Sequence, residues 1–347
     1  MKRSIKFLII FCVLLAAVSF GIWRDFQGYM YTSTKMDKDV TSFIIPKGAS
    51  FNEILQSLAD QSIIKKPLYF KVFARMHKLG GQIKAGEYSF AKDLTPEQIL
   101  YRLVDGKSIQ HSFTIIEGTT IKQLREMLKS QTEIIRQVIP ELSDTELLDE
   151  LEIEDQTHPE GLFLADTFQV ERGTSDLDLL RRSHDALYTL LTDLWANRDK
   201  NLPYKTPYEA LILASIVEKE TAVAAERPRI AGVFLRRMKI GMRLQTDPTV
   251  IYGMGDKYTG NITRKDLKTP TPYNTYTIDG LPPTPIAFVG PQALKAVFKP
   301  EMGNWLYFVA KGDGSHQFSA TLSEHNDAVR AYQLKRKEAY RSTPEPQ

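Results

Sequence analysis

The chain has 347 residues, of which 42% are hydrophobic and 25% charged, and its formal net charge is +3. Such a chain has the composition and length of a globular protein with two or three domains, which excludes a disordered protein, and its single cysteine excludes a disulfide scaffold. Four of the 45 basic residues precede Asp25, so the rest of the chain has 41 basic and 42 acidic residues. The remainder is therefore close to neutral, and neither nucleic acid nor anionic membrane is an expected partner for it.

The N-terminal segment has the pattern of a membrane anchor. A basic tip, residues 1–6, precedes an uncharged apolar run over residues 7–23 that ends at Arg24. As a helix this run would be about 25 Å long, enough to cross a bilayer. The charge bias then predicts a single-pass protein of the cytoplasmic (inner) membrane, with its N-terminus in the cytoplasm and everything after Arg24 outside. Trp23 fits the aromatic belt of such a helix.

A cleaved signal peptide is the alternative, because it shares the basic start and apolar core. Here Ala16, Ala17 and Ser19 provide only a poor cleavage site. A lipoprotein signal is excluded, since Phe11 precedes Cys12 where a small residue is required. Cys12 lies inside the apolar run, so the exported part contains no cysteine.

The next segments predict a stalk over residues 24–40 and a small α+β domain over residues 41–128. In this domain a strand, a glycine turn and a capped helix recur: Phe43–Pro46 leads through Gly48 and Ser50 into one helix, and Phe113–Thr120 leads into another seventy residues later. A partial third copy begins at Gly86 and opens a helix at Thr95. This unit resembles the glycan-binding LysM module, and a plain α+β packing unit explains the same residues.

The rest of the chain divides into three predicted segments. Residues 129–158 are rich in Glu and Leu and are interpreted as a helical connector. A new apolar, aromatic segment follows Pro159, so a larger α+β domain is predicted over residues 159–335, with a polar tail at 336–347. The fold class is therefore α+β throughout.

One helix in this larger domain ends on a candidate catalytic acid. Thr206 to Glu209 form a capping box with Pro207 at the first helical position, and the next eight residues carry no charge. A helix that is apolar all round is buried, so Glu218 follows at the edge of a core. Burial raises the pKa of a carboxyl group, as a general acid requires. An ordinary charged residue at a helix end is the alternative.

The loops that follow are rich in groups that suit sugars, namely amides, hydroxyls and aromatic faces. Gln245, Tyr273, Asn274 and Tyr276 are the candidate saccharide-binding residues. The histidines are scattered, and His316 and His325 suit structural hydrogen bonds better than a metal site. No metal-binding, serine-nucleophile or phosphate-loop motif occurs, so neither a metal nor a cofactor is predicted.

Five ordered strings resemble the endolytic murein transglycosylase family, also called MltG or YceG-like, over most of the chain. They are Ala214–Thr221 (ASIVEKET), Arg243–Gly253 (RLQTDPTVIYG), Tyr273–Tyr276 (YNTY), Gly280–Pro283 (GLPP) with Pro285 and Ile286, and Tyr307–Ala310 (YFVA) through Gly314–Phe318 (GSHQF) to His325 and Asn326. The sequence departs from the family pattern at two places, and both concern loop geometry. Thr284 replaces a glycine of the string that often reads Gly-Leu-Pro-Pro-Gly-Pro-Ile, and Val289 to Pro291 stand where Asn-Pro-Gly is often found.

The resemblance implies that Glu218 is the catalytic residue of a lytic transglycosylase. In that chemistry one carboxyl group protonates the β-1,4 glycosidic oxygen between MurNAc and GlcNAc, and then takes the proton of the muramic acid 6-hydroxyl as a 1,6-anhydro end forms. Glu220 and Glu226 are candidates for electrostatic tuning of Glu218. The resemblance also implies peptidoglycan strands as substrate, a role in ending strand growth, and peptidoglycan synthases as partners.

Two alternatives remain at this point. A two-carboxylate hydrolase would use Asp247 or Glu220 as its second group and leave reducing ends. A glycan-binding scaffold of the cell-wall machinery would bind murein and form no product.

Overall fold

The structure is a computed structural model that describes residues 2–334; the predicted polar tail at 336–347 lies outside the described residues. The architecture is α+β, as the sequence predicts. The α-helices are α1 (Lys2–Tyr31), α2 (Phe51–Asp60), α3 (Pro67–Met76), α4 (Pro96–Asp105), α5 (Ile121–Lys129), α6 (Asp144–Glu150), α7 (Asp176–Ala196), α8 (Pro207–Glu220), α9 (Arg227–Lys239), α10 (Asp247–Met254), α11 (Arg264–Lys268), α12 (Pro291–Phe298) and α13 (Leu322–Val329). The strands are β1 (Val40–Ile45), β2 (Gly86–Phe90), β3 (Gln110–Thr114), β4 (Ile135–Arg136), β5 (Thr167–Glu171), β6 (Thr174–Ser175), β7 (Tyr307–Ala310) and β8 (His316–Ser319).

The strands form small two-stranded sheets. β1 pairs antiparallel with β2, with a bulge between Val40 and Phe43, and β7 pairs antiparallel with β8. β4 pairs parallel with β6, and β3 pairs with β5. Side-chain packing of helices therefore supplies most of the core, because no sheet is wide enough to form a layer.

The chain separates into two compact units. The first comprises the chain up to His111 with Val170–Gly173, and the second comprises Ser112–Gln169 with the chain from Thr174 onward. The predicted limits at 128 and 158 differ from these. Residues 112–128 belong to the second unit, and so does the predicted connector, because Leu147, Leu148 and Leu151 are buried there.

Helix α1 is longer than the predicted apolar run. Its stretch Ile5–Tyr31 has a mean hydropathy of 2.6 and is long and apolar enough to cross a membrane, a property that a signal sequence shares. The first eight residues of the predicted stalk continue this helix to Tyr31. They do so because Phe26 and Met30, four residues apart and therefore on one face, are buried in the core of the first unit.

The predicted strand, glycine turn and helix units are confirmed. Ser50, Thr95 and Thr120 each form a capping box at the start of α2, α4 and α5. Gly48 and Gly118 occupy the same place in their turns, with φ of 83° and 75° in the left-handed region that glycine accepts without strain. The resemblance of these units to LysM stays a prediction.

Helix α8 lies at the centre of the second unit, in contact with α7, α9, α10 and α12. Thr206 accepts the Glu209 amide, as predicted, whereas the Glu209 carboxylate accepts the amide of Lys205 instead of that of the cap residue. Every residue from Ala210 to Glu218 is buried. The apolar run predicted this burial, and it determines where Glu218 lies.

Candidate active site

Glu218 is a carboxyl group with almost no solvent contact, its side chain being 2% exposed. It occupies the last turn of α8, so the helix that fills the core also carries it. The helix is fixed there in part by Ser215, whose hydroxyl accepts the amide of Ile286 at 3.0 Å. Glu218 is therefore held on a rigid element, as a reacting group must be.

Both oxygens of Glu218 have a partner. Nη2 of Arg227 donates to Oε1 at 2.6 Å, and the amide of Gly290 donates to Oε2 at 2.9 Å. Gly290 is the N-cap of α12, so Glu218 also lies at the end of that helix where its dipole favours negative charge.

A second carboxyl group, Glu117, adjoins the first. The same Nη2 atom of Arg227 donates to Oε2 of Glu117 at 2.8 Å, so both carboxyl groups contact one nitrogen. The Glu117 side chain is 43% exposed, against 7% for that of Arg227. Backbone hydrogen bonds of Gly118 and Thr119 with Phe288, at 3.0 and 2.8 Å, hold this turn in place.

These neighbours act on the pKa of Glu218 in opposite directions. Burial raises it above its usual value, the Gly290 amide and Arg227 lower it, and the charge of Glu117 raises it again. Two carboxyl groups and one guanidinium are neutral together when they share one proton. The balance raises the pKa of Glu218 to about 7, which makes Glu218 a usable acid near neutral pH.

Sequence reasoning missed Glu117, Arg227 and Gly290. In the later copy of the repeat Glu117 takes the place that Lys47 has in the first, and this difference alone does not mark a functional residue. Arg227 lies nine residues after Glu218, but its contact with Glu117 spans 110 residues and no local pattern reports it. Gly290 lies in Val289 to Pro291, the departure attributed to loop geometry, and its hydrogen bond to Glu218 shows that this interpretation was wrong.

A cavity of about 350 Å³ lies beside the end of α8 in the second unit. It is lined by polar and aromatic side chains, including Glu220, Gln245, Asp247, Tyr276 and Tyr307. Two of the predicted saccharide-binding residues, Gln245 and Tyr276, thus share one cavity. The Tyr276 hydroxyl donates to Asp247 at 2.7 Å, and Gln245 is held in a left-handed conformation with φ of 49°.

The other two predicted saccharide-binding residues brace the surrounding loops. Asn274 is 1% exposed, and its amide nitrogen donates to three backbone carbonyls while its oxygen accepts the amide of Tyr276. Tyr273 packs edge-on against Tyr252 and shares a 2.8 Å hydrogen bond with the hydroxyl of Thr284. Thr284, one of the departures from the family pattern, thus has a structural partner.

Glu220 and Glu226, the predicted tuning residues, contact groups other than Glu218. The Thr246 hydroxyl donates to Glu220, and burial raises the pKa of Glu220 to about 7. Glu226 accepts the backbone amide of His316 at 2.9 Å and lies 2.7 Å from its Nδ1, which gives His316 the expected structural role. His325 stacks on Tyr307, with ring centroids 5.1 Å apart.

A deeply buried Glu160 lies in the same unit. Its carboxyl accepts the amide of Ile121 at 3.1 Å and the hydroxyl of Tyr252 at 3.2 Å, and burial raises its pKa to about 7. Because its 1% exposed side chain caps α5, we assign it a structural role.

The fold and site together define an α+β protein with a buried carboxyl group, Glu218, in the last turn of a core helix, and with a polar, aromatic cavity that is lined by Glu220 at the end of the same helix. The model of the YceG-like family matches residues 43–331. The chain belongs to the YceG-like family.

Relatives with known names agree. The chain is 30% identical over 318 residues to the endolytic murein transglycosylase of Bacillus subtilis (strain 168), with 86% of each chain covered. It is 27% identical to the endolytic murein transglycosylase of Streptococcus pneumoniae (strain D39), over 92% of this chain and 64% of that longer protein. A crystal structure of a putative YceG-like protein from Listeria monocytogenes has a TM-score of 0.50 and 28% identity, covering 84% of this chain and 99% of that one.

Proposed function

We propose that this chain is a peptidoglycan lytic transglycosylase that cuts glycan strands internally, between MurNAc and GlcNAc, and leaves 1,6-anhydro ends. The observation that carries the proposal is the buried carboxyl of Glu218, held at the end of α8 with its pKa raised by burial. The names of the relatives, endolytic murein transglycosylases, support the substrate and the reaction class.

The chemistry needs one group that first donates and then accepts a proton. Protonated Glu218 gives its proton to the glycosidic oxygen as the bond from the muramic acid C1 to that oxygen breaks. The 6-hydroxyl oxygen of the same sugar then bonds to C1, and its proton returns to Glu218. No water is consumed, so no second carboxylate is needed on the opposite face of the sugar.

The position of Glu117 favours this mechanism over a two-carboxylate hydrolase. A hydrolase holds its two carboxyl groups apart, with the reacting carbon or a water between them. Here Glu117 and Glu218 hydrogen bond to one nitrogen of Arg227, which places them side by side. Of the two earlier candidates for a second group, Asp247 accepts the hydroxyl of Tyr276 and Glu220 accepts that of Thr246.

The substrate must displace part of this cluster to reach Glu218, because the carboxyl is buried. Glu117 is the exposed member, so we infer that it moves aside when a glycan binds and that its bond to Arg227 breaks. Gln245 and Tyr276 hold neighbouring saccharides in the cavity beside α8, and Asn274 and Tyr273 keep that loop in shape. Glu220 lines this cavity and Glu226 positions His316, so neither is assigned an effect on the pKa of Glu218.

The biological setting belongs to the same proposal. Helix α1 anchors the protein in the cytoplasmic membrane, with the catalytic unit outside, and cutting occurs where new strands emerge. Strand termination beside peptidoglycan synthases follows from that location. The LysM-like unit then serves to bind glycan. The hydropathy of Ile5–Tyr31 supports the anchor.

The test is murein digestion by the Glu218→Gln variant. Glutamine keeps the size of the side chain but cannot supply the proton, so we expect cleavage to fall by about 10²- to 10⁴-fold with an unchanged circular dichroism spectrum. Glu209→Gln, on the same helix but at its start, is the control and should keep wild-type activity. Wild-type cleavage by Glu218→Gln would remove this residue from the mechanism.

A further inference from the structure

A groove of about 660 Å³ in the first unit adjoins the C-terminal end of the apolar stretch of α1. Its lining includes Gly21, Arg24 and Gly28 from the helix, and Lys35, Lys65 and Lys66 from two nearby loops. Arg24 is the first charged residue after Lys6 along the chain. The groove therefore lies where the helix would leave the hydrocarbon of a bilayer.

The groove concentrates positive charge. One of its cations, Lys66, is paired with Asp25 at 2.6 Å. The side chains of Arg24, Lys35 and Lys65 have no acidic partner within the part of the chain that the structure describes. Asp25 also lines the groove and is the partner of Lys66, so three cations without an acidic partner remain to attract an anion such as phosphate.

Hydrogen bonds fix the backbone that carries the cations. The hydroxyl of Tyr29 accepts the amides of both Lys65 and Lys66 at 3.0 Å, which fixes that loop against α1. Thr34 donates its amide to the carbonyl of Leu94 at 2.9 Å, and Lys35 follows with φ of 45°. Little backbone ordering therefore remains to oppose binding.

The groove also has an apolar end. Gly21, Arg24 and Gly28 are three and four residues apart, so they share one face of the helix. A Cβ atom placed at Gly21 or Gly28 would meet nothing within 4 Å, so this face is bare beside the cations. A ligand that fits both parts has a phosphate at Arg24 and an acyl chain along Gly21, which lies one turn from Arg24 on the side of the apolar run.

We propose that this groove binds the phosphate of an anionic phospholipid. The proposal rests on the membrane-spanning α1 of the proposed function. It also revises the expectation, drawn from the near-neutral charge of the exported part, that anionic membrane is not a partner. That balance is an average over the chain, and the groove is a local excess of positive charge.

The experiment is native mass spectrometry of the full chain, purified in detergent and first weighed to show that its N-terminus is intact. Phosphatidylglycerol is titrated against wild type, against Arg24→Gln/Lys35→Gln/Lys65→Gln, and against the control Lys47→Gln/Lys78→Gln/Lys92→Gln, which loses the same charge elsewhere on this unit. We expect the groove variant to bind the lipid more than about tenfold more weakly and the control to match wild type. Phosphatidylcholine should bind more weakly than phosphatidylglycerol to wild type.

Equal binding by both triple variants would overturn the proposal. Binding of inorganic phosphate that is as tight as that of the lipid would also overturn it, since the site would then serve a soluble anion. A chain found to lack its first residues would refute the anchor and the lipid site together. Murein digestion by the same preparations should be unchanged, so a failed lipid site remains distinguishable from a failed enzyme assignment.

Discussion

At the scale of single residues, the chemistry depends on what keeps a proton on Glu218. With Arg227 and the Gly290 amide as its only neighbours, Glu218 would lose its proton well below neutral pH, because both lower its pKa. It would then have no proton to donate. Burial and the charge of Glu117 act against them. We therefore propose that the acidity of Glu218 depends on the whole cluster, and that a change at Glu117 alters it.

Replacing Glu117 should change the pH dependence of the reaction. Glu117→Gln removes a charge that raises the pKa of Glu218, so Glu218 loses its proton at a lower pH. Since the first step needs protonated Glu218, we expect the alkaline limb of the activity profile to move to lower pH. The measurement is murein cleavage over about pH 4 to 9.

Glu126→Gln, an exposed change on α5, is the matched control and should leave the profile in place. An unmoved alkaline limb in Glu117→Gln would contradict this account. A loss of activity as large as that of Glu218→Gln would make Glu117 a reacting group and favour the hydrolase.

Prediction from sequence succeeded for residues whose environment is determined by a local pattern. The uncharged run before Glu218 predicts its burial, because burial on all sides follows from the helix pattern alone. Glu117 and Arg227 are 110 residues apart in sequence, and no local pattern reports such a contact. Asn274 was predicted to bind sugar because of its amide, but that amide donates to backbone carbonyls of the neighbouring loop.

At the scale of elements, the start of α12 completes the site. Its N-cap, Gly290, supplies the amide that binds Glu218, and a Cβ atom at this position would lie 2.0 Å from Oε1 of Glu117. Gly290 has φ of −80°, so alanine is allowed by the backbone. Glycine is thus needed here because a side chain would clash with the Glu117 carboxylate, and not because of its backbone conformation.

Gly290→Ala should therefore reproduce the effect of Glu117→Gln without removing a charge. The methyl group pushes the flexible end of Glu117 away while the amide bond to Glu218 remains. We expect the alkaline limb to move in the same direction, with a stability change below about 1 kcal/mol. Gly81→Ala, where a Cβ atom meets nothing within 4 Å, is the control. A profile that superimposes on wild type would show that Glu117 need not adjoin Glu218.

The elements that sequence predicted best are those with strong caps. Ser50, Thr95 and Thr206 mark helix starts through local hydrogen bonds, so they are visible in a few residues. The continuation of α1 beyond Arg24 was not visible in this way. Its polar composition suggested a stalk, and only packing of Phe26 and Met30 in the first unit explains the helix.

At the scale of the whole molecule, the division of the chain follows packing rather than repetition. The strand, turn and helix that contain Glu117 resemble the earlier copies in sequence, yet they belong to the second unit. Sequence similarity grouped them with residues 41–128. Their contacts, including the backbone bonds to Phe288, place them in the same unit as Glu218.

Truncation of α1 should lower the stability of the first unit if it removes the buried residues of the helix. A chain that starts at Arg24 keeps Phe26 and Met30, which are 5% and 0% exposed, whereas one that starts at Thr32 loses both. Loss of the two large core side chains costs about 4–10 kcal/mol together, so the shorter chain should melt lower by more than about 10 °C. Calorimetry of the two proteins measures this. Equal melting temperatures would contradict the packing of α1 into this unit.

The measurement that tests the central claim most directly is mass spectrometry of murein fragments produced in water labelled with heavy oxygen. If Glu218 serves as both acid and base, every new end is an anhydro sugar, one water lighter than a hydrolytic end and free of label. Reducing ends that carry the label would contradict the account, because water would then be the nucleophile and a second carboxylate would have to activate it.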